Sequence, residues 1–386
     1  MPAHLAHLDG IRDRLRREGL DALVCRLAEN VLCLSGYWPR SGVSFLFVPV
    51  GGMPLLIAPE LEAPFLPEGV GQSLFAWGRL GESAPLESVR RVLARQAAVS
   101  RLGWEGDFEA VAPAHVAGEV LVPAASTAAM LRDAFPAATL VDASPLLRAE
   151  RARKTPADLA GLRRAAAVAE RGVVAFERAI RPGVSECALI AEVEAEIARA
   201  GGDPDGADSV RGFAQLLSGP RTAGAWAPWY LATRRALAPG DLVLLELATV
   251  ADGYWSDITR MAVVGEPDAR QREVRHAIDG AVAAAIAACR PGQPARAADA
   301  AARAALEVAG LGRAFPHHTG HGLGFRYHEP VPWLHPDSAD TLESGMVCTI
   351  EPGVYLEGFG GIRIEENIAI GPAGAELLSV PARPWP

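Results

Sequence analysis

Within Leu242–Val264, LVLLELATVADGYWSDITRMAVV, two acids interrupt otherwise apolar runs: Glu246 and Asp257. The stretch reads as two strands joined at Ala251-Asp252-Gly253, a composition suited to a tight hairpin turn. The two positions sum to an odd number. In a hairpin with a two- or four-residue loop, such residues sit opposite or diagonal on one face. Two carboxylates meeting on a buried face carry uncompensated charge, which a bound cation would offset. The pair therefore points to a metal site.

Two further acids stand at matching places downstream: Glu351 in MVCTIEPGVY and Glu365 in GGIRIEENIAI. They follow Glu246 and Asp257 by 105 and 108 residues, close to the 109 that separate Arg181-Pro182-Gly183 from Arg290-Pro291-Gly292. In each copy a helix, the Arg-Pro-Gly turn and a second helix precede an irregular segment and an acid-bearing strand pair, so the chain contains an internal repeat. Five of the nine histidines lie between His317 and His335, in FPHHTGHGLGFRYHEPVPWLH, where glycines 320, 322 and 324 allow close backbone approach to a ligand or strained dihedrals. Four carboxylates and one imidazole suffice for two divalent cations when some carboxylates bridge. Oxygen and nitrogen donors suit manganese, iron, cobalt or zinc better than copper. Such a pair supplies hydroxide at neutral pH and polarises a carbonyl, which is metal-assisted hydrolysis. No GxSxG elbow, GxxxxGK[ST] loop or CxxC pair offers another chemistry.

The elements that must position these residues divide near residue 150. Leu147–Pro156, LRAERARKTP, is charged and ends in Thr155-Pro156, a helix cap with proline at the first helical position. We read residues 1–150 as a small α/β domain and residues 151–386 as the domain that carries the acids. In the first, LDALVCRL, SFLFVPV, MPLLIAP, RLGWEG and ATLVDAS look extended. An N-terminal surface helix, ESVRRVLARQAAV and the stretch near HVAGEVLVPAASTAAMLRDAF look helical, and NVLCLSGY reads as a loop. His4, His7 and His115 are isolated and lack ligand spacing. The net charge of −9 gives no reason to expect nucleic acid or an anionic membrane, and no apolar run is long enough to span a bilayer. Five scattered cysteines read as buried free thiols of a cytoplasmic protein.

At these motifs the chain resembles the pita-bread metallopeptidase family that includes prolidase (Xaa-Pro dipeptidase), aminopeptidase P, methionine aminopeptidase and creatinase. The resemblance rests on Glu246 and Asp257 with SDITR, His321 in GHGLG, Glu351 in TIEPGVY and Glu365 in GIRIE, five ligand positions in family order across residues 154–380. DALVCRLAENVLCLSGY is similar to the extra domain of the prolidase, aminopeptidase P and creatinase branch. The implied fold class is α+β: a pita-bread domain with an internal pseudo-two-fold repeat, preceded by a smaller creatinase-like α/β domain. The resemblance implies that Glu246 holds one metal, that Asp257 and Glu365 bridge both, and that His321 and Glu351 complete the second. Manganese is the first expectation, with cobalt, zinc or iron as alternatives. Glu351 would also act as general base, and His317 and His328 would move a proton, stabilise the oxyanion or contact the substrate. Arg363 and Thr259 are expected to support the carboxylates; Tyr254 does likewise or is a strand aromatic.

Two departures stand out. The family has aspartate where this chain has Glu246, and a family histidine about eight residues after Ser218 is replaced near Trp226. The implied activity is hydrolysis of the bond before proline in a dipeptide by a homodimer that takes short proline-containing peptides and neither nucleic acid nor membrane. The alternatives are Xaa-Pro aminopeptidase action on longer peptides, a creatinase-fold hydrolase or lyase of a small molecule, and a binding protein with a dead site.

Overall fold

The computed structural model describes residues 3–39, 44–75, 84–96, 98–106, 125–201, 207–227 and 232–385. Among these the chain forms two compact units, one ending at Arg151 and the other starting at Ala152. His115 and the first part of the helix expected around it lie outside the described residues.

The first unit runs α1 (Ala3–Arg17), β1 (Ala22–Cys25), α2 (Ala28–Ser35), β2 (Phe45–Pro49), β3 (Leu55–Pro59), β4 (Gly71–Phe75), α3 (Ala84–Leu93), β5 (Arg101–Trp104), α4 (Ala125–Ala134), β6 (Thr139–Asp142) and α5 (Ser144–Arg151). Its six-stranded sheet has the order β4-β3-β2-β1-β5-β6, mixed parallel and antiparallel. The segment read as a loop, NVLCLSGY, is instead mostly α2, closed by Gly36 in the left-handed conformation (φ 72°). Six of its eight residues are buried, so tertiary packing makes a helix that is too short for propensity to announce. His7 is buried and bonds Glu150 at 3.0 Å, a structural histidine.

The second unit opens with α6 (Pro156–Ala179), where Thr155 and Asp158 exchange both bonds of a capping box. There follow α7 (Glu186–Ala200), β7 (Val210–Ser218), β8 (Leu242–Ala251), β9 (Tyr254–Val263), α8 (Ala269–Ala288) and α9 (Arg296–Val308). Seven short strands complete it: β10 (Gly320–Gly322), β11 (Glu329–Leu334), β12 (Val347–Ile350), β13 (Gly353–Leu356), β14 (Gly360–Arg363), β15 (Glu366–Gly371) and β16 (Gly374–Leu377). One antiparallel sheet is β7-β8-β9, another is β11-β10-β12-β15-β16, and β13-β14 is a separate hairpin. Strand β7 corrects the reading of that region as irregular: all nine of its residues pair with β8, which sets Gln215 opposite Glu246.

The internal repeat is visible in matched backbone bonds. Gly183 N–H donates to Leu237 C=O and Gly292 N–H to Leu342 C=O, each at 2.8 Å. The reciprocal bonds, Leu237 to Val184 and Leu342 to Gln293, are also 2.8 Å. Both turn glycines have positive φ, 86° and 83°. At the foot of each strand pair Gly240 bonds Val264 and Gly345 bonds Ile370, again at 2.8 Å. Each copy has its own apolar cluster: α6 and α7 pack on β7 and β8 in the first, α8 and α9 on β12, β14 and β15 in the second. Four of the five cysteines are buried, whereas Cys187 is exposed, contrary to the expectation for all five. Among the described residues no helix is long and apolar enough to cross a membrane.

Candidate metal centre

The β8–β9 hairpin turns through Asp252 (φ 51°) and Gly253 (φ 86°), the two positive dihedrals of a tight two-residue turn. Its register pairs Glu246 with Thr259 and Ala248 with Asp257, so Glu246 and Asp257 are diagonal neighbours on one face. In the second copy the acids occupy breaks between strands: Glu351 follows the last residue of β12, and Glu365 precedes the first residue of β15. All four carboxylates converge. Carboxylate oxygens of Glu246, Asp257 and Glu365 lie within 4.8 Å of one another, as do ligand atoms of His321, Glu351 and Glu365, and of Asp257, His321 and His328.

The histidine loop is held from α9. Asp299 accepts from Thr319 Oγ1 at 2.9 Å, and Arg303, one turn on, donates to the carbonyls of Phe315 and His317 at 3.0 and 2.6 Å. Strand β10 then inserts between β11 and β12. A Cβ at Gly320 would stand 2.0 Å from Thr349 O, and one at Gly322 would stand 2.3 Å from Val331 O. These two glycines thus admit neighbouring backbone, not a ligand as the sequence suggested; Gly324, at φ 154°, does take a dihedral that favours glycine. His321 Nδ1 lies 2.9 Å from Gly322 O. A carbonyl only accepts, so Nδ1 carries a proton, and Nε2 faces Asp257 Oδ2 (3.4 Å) and Glu351 Oε1 (3.8 Å).

Carboxylates and one imidazole thus crowd together in a buried space. Asp257 Oδ1 and Glu365 Oε1 have no hydrogen-bond partner at all. Burial, then the neighbouring carboxylates, push both acids well above the usual range. A cation supplies what this donor set lacks, and the mixture of carboxylate oxygens with one imidazole nitrogen fits a divalent transition metal. Glu351 behaves oppositely. Burial would raise it, but the hydrogen bond and charge of His318, with His317 and His321, hold it well below the usual carboxylate range.

Arg363 and Thr259 both contact the carboxylates. Arg363 Nη2 donates to Glu246 Oε2, and its Nε donates to Thr259 Oγ1 at 2.8 Å. That hydroxyl lies 2.5 Å from Glu246 Oε2 and 2.9 Å from Glu365 Oε2. The Tyr254 hydroxyl donates to Asp158 in the α6 cap at 2.9 Å, and its ring packs on Gly161. His328 is in place, its ring centroid 4.1 Å from that of His321, and burial and then His321 hold it well below the usual imidazole range. His317 differs from expectation, because the protein engages both of its ring nitrogens. Nδ1 lies 2.8 Å from His318 O, and Nε2 accepts from Tyr355 OH at 3.0 Å. Burial depresses it to about 4. Sequence reasoning missed His318, whose Nε2 is 3.2 Å from Glu351 Oε1, and Tyr327, whose hydroxyl is 3.3 Å from Glu246 Oε1. For His318 the signal was available, an imidazole beside His317; for Tyr327 there was none.

Fold and site together define a two-domain enzyme with a buried carboxylate–imidazole centre of the kind that binds paired metals. The model of metallopeptidase family M24 matches residues 160–372, and that of the creatinase/prolidase N-terminal domain matches residues 7–153. The chain belongs to metallopeptidase family M24. The protein YkvY of Bacillus subtilis (strain 168) is 30% identical over 371 residues, 95% of this chain and 95% of its own length. The Xaa-Pro dipeptidase of Pyrococcus furiosus is 34% identical over 226 residues, 58% of this chain and 62% of that one. Among solved structures, the prolidase from Pyrococcus horikoshii OT3 aligns with a TM-score of 0.81 at 26% identity, covering 99% of this chain and 100% of its own.

Proposed function

We propose that this chain hydrolyses the peptide bond preceding proline in Xaa-Pro dipeptides, with two divalent cations held by Glu246, Asp257, His321, Glu351 and Glu365. The observation that carries the reading is the convergence of the Glu246, Asp257, His321, Glu351 and Glu365 ligand atoms around buried oxygens of Asp257 and Glu365 that have no hydrogen-bond partner. The relatives named for Xaa-Pro dipeptidase and prolidase activity support the substrate class. Asp257 and Glu365 would serve both ions, Glu246 one, and His321 with Glu351 the other. Bound there, the ions would lower the pKa of water and polarise the scissile carbonyl.

The rest falls to side chains. Glu351 stays ionised at neutral pH, so it can take the proton of the attacking water and return it to the prolyl nitrogen as the bond breaks. His318 donates to Glu351 Oε1 and fixes that carboxylate's orientation. His328, kept neutral by burial, can donate a hydrogen bond to the developing oxyanion. His317 acts through Tyr355, which also accepts from Arg363 at 2.9 Å. We assign the activity to a cytoplasmic homodimer; five free cysteines suit the compartment.

The test is an apo preparation reconstituted with manganese, cobalt, zinc or iron and given an Xaa-Pro dipeptide and an Xaa-Pro-Yaa tripeptide in parallel. Metal-dependent cleavage that favours the dipeptide is the expected result. A tripeptide preference moves the assignment to an aminopeptidase, and metal binding with neither peptide cleaved moves it to a small-molecule substrate. Sedimentation of the same preparation checks the dimer.

A further inference from the structure

We infer that the segment Leu378–Ala382, which follows β16, is a positioning device for the carboxylates of Asp257 and Glu365. The inference rests on the metal-centre reading for what those acids do, but not for the contacts themselves.

The backbone around Glu365 lies between two strands and lacks a ladder partner on the β15 side. Its carbonyl accepts from Arg260 Nη1 at 2.6 Å, and its N–H donates to Thr259 O at 3.3 Å. Arg260 is buried, and the same Nη1 also reaches Thr259 O at 3.0 Å, so one guanidinium spans β9 and the residue before β15. Its other nitrogen, Nη2, donates to Glu366 Oε2 at 2.9 Å and to Val380 O. Glu366 in turn accepts from Ala382 N–H on Oε1 at 2.7 Å and from Ser379 Oγ on Oε2.

Asp257 is held in a parallel way. Asn367 Oδ1 accepts from Asp257 N–H at 3.1 Å while Asn367 Nδ2 donates to Asp257 C=O, so the amide side chain replaces the missing strand partner. The backbone of Asn367 is then fixed by residues after β16: its N–H donates to Ser379 Oγ at 3.0 Å, and its carbonyl accepts from Leu378 N–H at 2.8 Å.

The Arg260 side chain, directly and through Glu366, and the Asn367 backbone are therefore tied to Leu378, Ser379, Val380 and Ala382. Removing those residues leaves the buried Arg260 guanidinium, which bonds the Glu365 carbonyl, and the buried Glu366 carboxylate, the next residue after Glu365, short of partners. Outer-shell partners of metal ligands are commonly worth about 10- to 100-fold in affinity or activity.

The experiment uses the full chain and a chain ending at Leu377, which lacks the Leu378 and Ala382 N–H groups, the Ser379 hydroxyl and the Val380 carbonyl. Three readouts are taken on each: amide exchange of the apo protein, manganese affinity by calorimetry, and kcat with KM on an Xaa-Pro dipeptide. We expect faster exchange confined to peptides spanning 255–261 and 364–368, a loss of about 10-fold in manganese affinity, and a fall in kcat with KM unchanged. Unchanged exchange and unchanged affinity in the shortened chain would overturn the inference. If the shortened chain does not fold, Ser379→Ala removes two of the bonds without shortening the chain, and the same three readouts decide. Full-length protein that neither binds manganese nor cleaves the peptide defeats the proposed function alone, because the exchange measurement still tests the positioning contacts.

Discussion

Glu365→Gln should make the metal-free protein more stable and remove most of the stabilisation that manganese confers. In the absence of metal, Glu365 Oε1 has no partner and the carboxylate is buried among Asp257, Glu246 and Glu351, with Arg363 as the nearest compensating charge. At pH 8 the wild-type acid must either keep a proton that solution would remove or stand charged beside other acids, and each option costs free energy. The amide has neither difficulty, and its NH2 can donate to a neighbouring carboxylate. Relief of such active-site strain is commonly worth about 0.5–2 kcal/mol. At roughly 2–4 °C per kcal/mol for a unit of this size, the apo Tm should rise by about 1–8 °C. The sign with pH follows from the raised folded value. A carboxylate held above its unfolded pKa contributes stability below the unfolded value and loses it as pH rises through the folded one, so the advantage of glutamine should be larger at pH 8 than at pH 5. Manganese at about 100 times its Kd should stabilise wild-type protein by about 2.7 kcal/mol, and the variant by much less. The assay is thermal unfolding by near-ultraviolet circular dichroism with chelator or manganese, at both pH values. A less stable apo variant, or a variant that gains as much from manganese as the wild type, would refute the reasoning.

The remaining expectations are more direct. Glu351→Gln should lower kcat by about 10²- to 10⁴-fold, as for the loss of a general base, with KM little changed; steady-state kinetics on an Xaa-Pro dipeptide check it. His321→Ala should abolish activity and Glu246→Asp should retain it or change which metal supports it, both read in the reconstitution assay. Gly161→Ala would place a Cβ 2.5 Å from the Tyr254 ring and should destabilise by about 1–3 kcal/mol, seen in urea unfolding. Glu105 is lifted to about 7 by burial, so its contribution is full below the unfolded carboxylate range and lost as pH rises through 7. Urea unfolding should show about 1 kcal/mol less stability at pH 8 than at pH 6 from this group, and Glu105→Gln should remove that difference.

What the sequence could disclose depended on whether register or packing placed a residue. Glu246 and Asp257 lie in one long hairpin, where parity alone puts both on the same face, and the structure has them as diagonal neighbours. The repeat was legible because Arg-Pro-Gly marks the same positive-φ turn twice. Strand β7 was not legible: Arg211, Gly212 and Gln215 break the apolar alternation, and pairing along β8 makes the strand. Tyr327 was likewise beyond reach, since it finds its partner across the fold, at Glu246. His317 and His318 could be recognised as a pair, but which ring faces Glu351 depends on loop geometry fixed by Asp299 and Arg303.

That loop geometry also explains how one short sequence gives two histidines different tasks. In both His317 and His321 the Nδ1 atom bonds the carbonyl of the next residue, at 2.8 and 2.9 Å. A carbonyl cannot donate, so in both rings the same local contact puts a proton on Nδ1 and turns Nε2 toward other groups. The surroundings then decide the outcome. Nε2 of His317 meets a donor, the Tyr355 hydroxyl, and is satisfied within the protein. Nε2 of His321 instead faces the carboxylates of Asp257 and Glu351, the side chains proposed to share a cation with it. Tyr355→Phe removes the donor at His317 Nε2. It should therefore loosen His317 and Arg363, which share the hydroxyl, without touching the contacts of His321. Manganese affinity that holds while kcat falls would fit this division of tasks. Loss of manganese binding would show that the two histidines work as one unit.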